Sequence, residues 1–458
     1  MEFIHQPYVP GDTIAAVATP PGEGGIAVIR VSGQKAFDVV SLCFTGAVHS
    51  YASHTAHLGK IINQHKEEID EVLVLVMKGH RSFTGEDTVE ISCHGGSLIT
   101  RKVLDTVIQA GARLARPGEF TFKAFMNGKI DLTKAEAIQS LIHAQNDFAL
   151  KAAEKQLSGS LAEKISSFQK QLVHIAAHLE AWIDFPEEDL DFLSKQEMLE
   201  HLESVKKEMQ KLSDTFYEGK ILSTEHTLCL VGAPNAGKSS LMNLLLGQDR
   251  AIVTDIAGTT RDVLEARLSL NGLNFRLLDT AGLRETEEVI EKEGIRRTYE
   301  AVKEADLVLL IIDVTKGICE GVKELLSFLP KNRTVIVWNK KDLARDSSFG
   351  VGFPLECFVS VKTGEGIDEL KEKIKEIIWV KGLPSKEEIV ITNSRHFHLL
   401  MKATEHIEVL IKGIREDLSP EFLSSDMKES LKKLGEIIGT NVTEDILSSI
   451  FSQFCIGK

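Results

Sequence analysis

The sequence predicts a multidomain fold of α/β and all-α parts: an N-terminal α+β domain, a helical domain, and a doubly wound α/β domain inserted into the helical one. Three observations carry this. Residues 1–126 alternate short apolar runs with Gly, Pro and Ser at strand-and-turn intervals. From about Asn127 to Glu218 apolar residues recur three and four apart (Ala137, Leu141, Ala144, Phe148), the spacing of one helix face. Between Leu228 and about Trp379, short β-runs alternate with helix-sized segments, the sequence form of a parallel sheet covered on both faces.

In chain order, TIAAVAT, GGIAVIRVSG, EVLVLVM and TVEISCHGG are the strand candidates of residues 1–126. Helical character fills 127–224. TLCLVGAP, NFRLLDTAG, DLVLLIIDVT, RTVIVWNKKD and CFVSVKTG are the strands expected in the inserted domain, 225–380, and helical character returns over 381–458. At roughly 100–200 residues per domain, 458 residues correspond to about two to four domains. No apolar run approaches the ~18 residues needed to span a bilayer, and the N-terminus lacks the charged and small-residue features of a signal peptide. A cytoplasmic protein without a membrane partner is expected. The six cysteines form no CxxC pair, so free thiols are expected rather than a zinc site or disulfides. A net charge of -14 argues against a generic nucleic-acid coat and leaves a local basic groove open.

After the strand TLCLV comes Gly232-Ala233-Pro234-Asn235-Ala236-Gly237-Lys238-Ser239, then the helical run from Ser240. This is G-x-x-x-x-G-K-S in its strand–loop–helix context, where backbone N–H groups cradle a phosphate at a helix N-terminus. Lys238 would neutralise the β/γ oxygens and Ser239 would ligate Mg²⁺. Asp279-Thr280-Ala281-Gly282 ends the next strand, placed to hold the magnesium shell and sense the γ-phosphate. Asn339-Lys340-Lys341-Asp342 ends another, and its carboxylate can accept from N1–H and the 2-amino group of guanine, donors that adenine lacks. Ser360-Val361-Lys362 would close over the base. Together these motifs resemble the translation-factor-like GTPases and imply a Ras-like P-loop domain.

Thr254-Asp255-Ile256-Ala257-Gly258-Thr259-Thr260 occupies the place of the first switch loop, with Thr260 the expected second Mg²⁺ ligand. Leu283 follows DTAG, where Ras-like proteins place the glutamine that positions the attacking water, and a leucine cannot do that. An acidic residue further along the switch, or a cation beside the phosphates, must substitute. Asn235 offers a carbonyl oxygen for a monovalent cation, with a plain turn residue as the alternative. At the other end, Cys455 is either a small buried hydrophobe or a functional thiol one turn from Lys458.

Further runs add a closer likeness. Thr13–Gly22, Ser82-Phe83-Thr84-Gly85-Glu86-Asp87, Arg116-Pro117-Gly118-Glu119-Phe120, Asn127-Gly128-Lys129-Ile130-Asp131-Leu132 and Cys455-Ile456-Gly457-Lys458 resemble the MnmE (TrmE) family of tRNA modification GTPases over essentially the whole chain. The resemblance implies a homodimer whose N-terminal domain binds a tetrahydrofolate one-carbon derivative through Arg30, Glu90, Lys129 and Lys458. Without it, Arg30 and Lys129 read as surface charges. It also implies potassium-dependent dimerisation of the GTPase domains, with Asn235, Thr254, Ile256 and Thr259 as potassium ligands and Glu291 as the catalytic acid. Its implied output is a carboxymethylaminomethyl-type group on C5 of the wobble uridine of certain tRNAs. The implied partner is the FAD-dependent MnmG (GidA), in a heterotetramer. The competing class is a ribosome-assembly GTPase of the Era or Der type, which would carry a G-x-x-G module or tandem GTPase domains.

Overall fold

The computed structural model describes residues 11–184, 193–223, 226–248, 267–270, 273–278, 291–344, 350–378 and 389–458. The chain divides into two compact units: Met1–Ile142, Glu154–Met209 and His398–Lys458 form the first, and His143–Ala153 with Gln210–Phe397 the second.

The first unit begins with β1 (Ile14–Val17), β2 (Ile26–Ser32), α1 (Ala36–Cys43), β3 (Thr55–Ile62), β4 (Glu68–Met77), β5 (Thr88–His94), α2 (Ser97–Gln109), β6 (Arg113–Leu114) and α3 (Glu119–Met126). Its sheet runs β3-β4-β5-β2-β1-β6, antiparallel except for the β1–β6 pair. Because successive strand residues face opposite sides, Ile29, Val31, Val89 and Ile91 enter a core shared with Phe37 and Val40 of α1 and Val103 and Val107 of α2. The same alternation turns Arg30 and Glu90 to the other face, directly opposite each other in the β2–β5 register. β3 carries no clear apolar run and was not among the expected strands; only Ile61 of it is fully buried.

The helices that follow are α4 (Leu132–His143), α5 (Asp147–Leu157), α6 (Ser160–Asp184) and α7 (Lys195–Ser223). The periodicity through Ala144 predicts continuous helix, yet the chain breaks there. Asn146 Oδ1 accepts the Ala149 amide and so caps α5 afresh. Along α6, Leu161, Ile165, Phe168, Leu172, Ile175 and Leu179 form one buried stripe at four-three spacing. Each such side chain stabilises the fold by about 1.5–3 kcal/mol relative to exposure.

The second unit contains β7 (His226–Gly232), α8 (Lys238–Gln248), β8 (Arg267–Leu270), β9 (Leu273–Leu278), α9 (Glu291–Glu304), β10 (Leu307–Asp313), α10 (Glu320–Phe328), β11 (Thr334–Asn339), β12 (Leu355–Phe358) and α11 (Ile367–Ile378). Its sheet order is β12-β11-β10-β7-β9-β8, parallel apart from the edge strand β8. β10 is buried throughout: Leu307, Leu309 and Ile311 enter one core and Val308, Leu310 and Ile312 the other, as a strand covered on both faces requires. The chain then forms α12 (Ser394–Arg415), α13 (Pro420–Ile438) and α14 (Glu444–Phe451). α13 packs along α6, burying Met427, Leu434 and Ile437. No helix among the described residues is long and apolar enough to cross a membrane.

Candidate functional site

In the second unit, β7 is flanked by β10 on one side and β9 on the other, and the chain leaves it to enter α8. The carboxyl ends of such strands, where the order reverses, are where open α/β sheets bind ligands. Gly232 closes β7 at φ +151°, and a Cβ there would lie 2.3 Å from the Ile311 carbonyl oxygen. Gly237 has φ +102°, and a Cβ would lie 2.2 Å from Asn339 Nδ2. The two glycines therefore let the loop lie flat against its neighbours. Lys238, the first residue of α8, donates to the carbonyls of Gly232 (2.9 Å) and Ala233 (3.0 Å), and burial pulls its ammonium below the usual lysine range. An ammonium desolvated at a helix N-terminus is suited to a phosphate. Ser239 and Ser240 follow, exposed on the first turn, while Ala236 is buried and Asn235 is exposed at φ +62°. Asn235 thus sits in the turn with its side chain on the surface.

The loops after β11 and β12 meet this P-loop. Asn339 Nδ2 donates to the Ala236 carbonyl (2.8 Å), and Asn339 Oδ1 accepts from the amides of Lys340 (2.8 Å) and Val361 (3.2 Å). Lys340 Nζ donates to the Asn235 carbonyl (3.1 Å) and to Asp313 Oδ2 (2.6 Å). Ser360, buried, donates its hydroxyl to Asp342 Oδ1 (2.7 Å), which orients an otherwise exposed carboxylate, and Lys362 is exposed. Lys238, Asn339, Lys340, Asp342, Ser360 and Val361 are thus brought to one end of one sheet. Asp313 belongs to the same cluster and escaped the sequence reading, since it closes an apolar run and matches no expected motif. Thr254, Asp255, Ile256, Ala257, Gly258, Thr259, Thr260, Asp279, Thr280, Ala281, Gly282 and Leu283 lie outside the described residues. Glu291 opens α9, and its side chain is likewise outside the description.

The first unit holds a second polar centre. Arg30 Nε donates to Glu90 Oε1 (2.8 Å), and Nη1 donates to the Gly457 carbonyl (3.2 Å). The guanidinium lies 5.9 Å from the Phe83 ring and 5.6 Å from the Phe120 ring. Around it the chain end is stitched into the fold: Gly118 donates to the Cys455 carbonyl (3.3 Å) and Phe120 to the Lys458 carbonyl (3.2 Å). Gly457 has φ +91°, with Val17 O 2.4 Å from where a Cβ would sit. The tail is partly core. Phe454 and Gly457 are buried, whereas Cys455 and Ile456 are exposed. All six cysteines are free thiols, and burial pushes Cys43, Cys229 and Cys357 up to about 12. Lys129 stands on the surface and donates to the His80 carbonyl (2.6 Å).

Sequence reasoning also passed over an ion pair anchoring the segment that carries Phe83. Lys123, fully buried, pairs with Glu86 (2.6 Å) and with the Asp12 carbonyl, while Ser82 Oγ donates to the Glu86 carbonyl (2.5 Å). No spacing rule could have paired Lys123 with a carboxylate 37 residues away.

A sequence model of the MnmE helical domain matches residues 132–455, and one of the GTP-binding protein TrmE N-terminus matches residues 13–129. The tRNA modification GTPase MnmE of Protochlamydia amoebophila (strain UWE25) is 57% identical over 458 residues, 100% of both chains. That of Chlamydia trachomatis serovar A is 44% identical over 450 residues, 98% of this chain and 99% of the relative. Among solved structures, the G domain of the T. maritima FeoB iron transporter is 27% identical, covering 34% of this chain and 99% of that one at a TM-score of 0.25. With relatives this similar along its whole length, the chain belongs to the MnmE family of tRNA modification GTPases.

Proposed function

We propose that this GTPase couples GTP hydrolysis to the installation of a carboxymethylaminomethyl-type group on C5 of the wobble uridine of certain tRNAs. It acts as a cytoplasmic homodimer with the FAD-dependent MnmG and uses a tetrahydrofolate derivative as one-carbon donor. The observation that carries this reading is the polar centre where Arg30 meets Glu90 and the Gly457 carbonyl, with two phenyl rings within 6 Å of its guanidinium. A folate presents a flat pterin with hydrogen-bond donors and a glutamyl tail of carboxylates. Aromatic faces, a carboxylate and several cations suit it. Arg30, Glu90, Lys129 and Lys458 would hold the folate, whose bound form supplies the one-carbon unit. Cys455, exposed in the same tail, is the thiol available to that chemistry. We divide the chain accordingly into the dimerising and folate-binding domain 1–126, the helical parts 127–224 and 381–458, and the GTPase domain 225–380.

At the P-loop, Ser239 and Thr260 would hold Mg²⁺, which offsets charge on the β/γ oxygens. Asn235, Thr254, Ile256 and Thr259 would hold potassium, whose charge does the work of an arginine finger. Glu291 would orient the attacking water in place of the glutamine that Leu283 cannot supply. The Asn235 carbonyl faces Lys340, so only its exposed side chain is offered to a cation.

Two experiments test the reading. Cys455→Ser should leave GTP turnover within about twofold, as a surface exchange does, and should leave the wobble uridine unmodified by mass spectrometry of tRNA. Normal modification would remove the thiol from the chemistry. In steady-state assays at matched ionic strength, KCl should accelerate hydrolysis over NaCl, and Glu291→Ala should bind GTP yet lose about 10²-fold or more of turnover in either salt, the contribution of a positioned acid or base. Equal wild-type rates in both salts would exclude the potassium site.

A further inference from the structure

Asp313 terminates β10 with its side chain 5% exposed. Burial works to raise its carboxyl; Lys340 and the hydroxyl and amide of Thr315 overcome this and hold it below the ordinary carboxylate range. Oδ1 accepts from Thr315 N (2.9 Å) and Thr315 Oγ1 (2.6 Å), which leaves Oδ2 facing Lys340 Nζ at 2.6 Å. The same ammonium reaches the Asn235 carbonyl at 3.1 Å, and the neighbouring Asn339 amide reaches the next carbonyl, that of Ala236, at 2.8 Å. Consecutive residues of the base loop therefore hold consecutive carbonyls of the phosphate loop.

Both ends of the Lys340 link are left-handed without being glycine: Lys340 has φ +66° and Asn235 φ +62°. Such residues persist only where their surroundings over-determine them. A lysine side chain is also flexible, so its ammonium needs a fixed partner to hold one carbonyl. Lys340 is 34% exposed, so water screens the pair and its contribution to stability is small; its use is better sought in what it orients.

We infer that Asp313 is a positioning residue of the nucleotide site, which aims Lys340 at the Asn235 carbonyl and thereby locks the phosphate loop to the guanine loop. Asp313 touches neither phosphate nor base. It acts through Lys340, and the inference rests on reading these two loops as the GTP site.

The test measures binding and release of a fluorescent GDP by the full chain, beside thermal unfolding. Asp313→Asn keeps the shape and removes the charge; it should weaken GDP binding about 10-fold or more through faster release, the scale of a lost charge-assisted hydrogen bond, with the melting temperature little changed. Lys340→Met should do the same, and the double variant should be no worse than either single one, because the two act as a unit. Additive losses, or wild-type GDP release in Asp313→Asn, would overturn the inference. Should Asp313→Asn fail to fold, Thr315→Val strips the hydroxyl from Oδ1 at an exposed position and keeps the charge. About threefold faster release is then expected for a weakened hydrogen bond, and an unchanged rate overturns the inference too. Failure of the wild-type chain to bind GDP at all would instead refute the nucleotide reading on which it stands.

Discussion

Asp342→Asn should turn the nucleotide preference from GTP toward XTP. Ser360 fixes Asp342 Oδ1 at 2.7 Å, and the Thr363 amide holds the same hydroxyl at 3.2 Å, so the carboxylate is set before any base arrives. Guanine then donates from N1–H and its 2-amino group. Each bond to the charged acceptor is worth about 1.5–3 kcal/mol, so losing the pair lowers GTP affinity by roughly 10²–10⁴-fold. Xanthine carries a carbonyl where guanine has the amino group and can accept from the new amide. Competition of GTP and XTP for the variant measures the change. Undiminished GTP affinity would mean that another group reads the base.

Gly457→Val should disable the first unit's polar centre and spare the second unit. At φ +91° a branched side chain is strained, and its Cβ would lie 2.4 Å from Val17 O and 2.8 Å from Ala18 Cα, both backbone atoms that cannot swing aside. The tail must move, taking with it the carbonyl that Arg30 holds and the thiol two residues before it. A shift of about 1 Å can cost 10²-fold in activity. Titration with a formyl-tetrahydrofolate should show a matching loss of binding, while GTP turnover per chain stays at the wild-type value. Folate binding of wild-type strength would show that the tail does not complete that centre.

The two sites differ in how openly the sequence displays them. Phosphate chemistry demands glycines at fixed spacing, because only they allow the φ values found at Gly232 and Gly237 and the close approach of Ile311 and Asn339. The P-loop and the guanine loop were therefore legible residue by residue. Asp313 was not, because its partner lies 27 residues on and the contact depends on which strand lies beside which. Arg30 and Glu90 are separated by 60 residues, and only the strand register sets them face to face. They were reached through family resemblance, since as isolated charges they look like any surface pair. The parallel sheet was plain in its continuous apolar runs. β3, largely half-exposed with Thr, His and Lys among its apolar residues, offered no comparable pattern, and a single asparagine at 146 interrupted the periodicity of Ala137, Leu141, Ala144 and Phe148.

Arg30 and Gly457 also impose an order of events. They are 427 residues apart in the chain, and translation adds roughly 5–20 residues per second. A nascent chain therefore waits on the order of 20–85 s between making the arginine and making the glycine that completes its setting. Only late in that wait, once residue 380 has been made, could the GTPase domain proposed above fold and bind nucleotide, while Arg30 still lacks the Gly457 carbonyl. Loss of Gly457 would leave Arg30 without that carbonyl while every residue of the second unit is present.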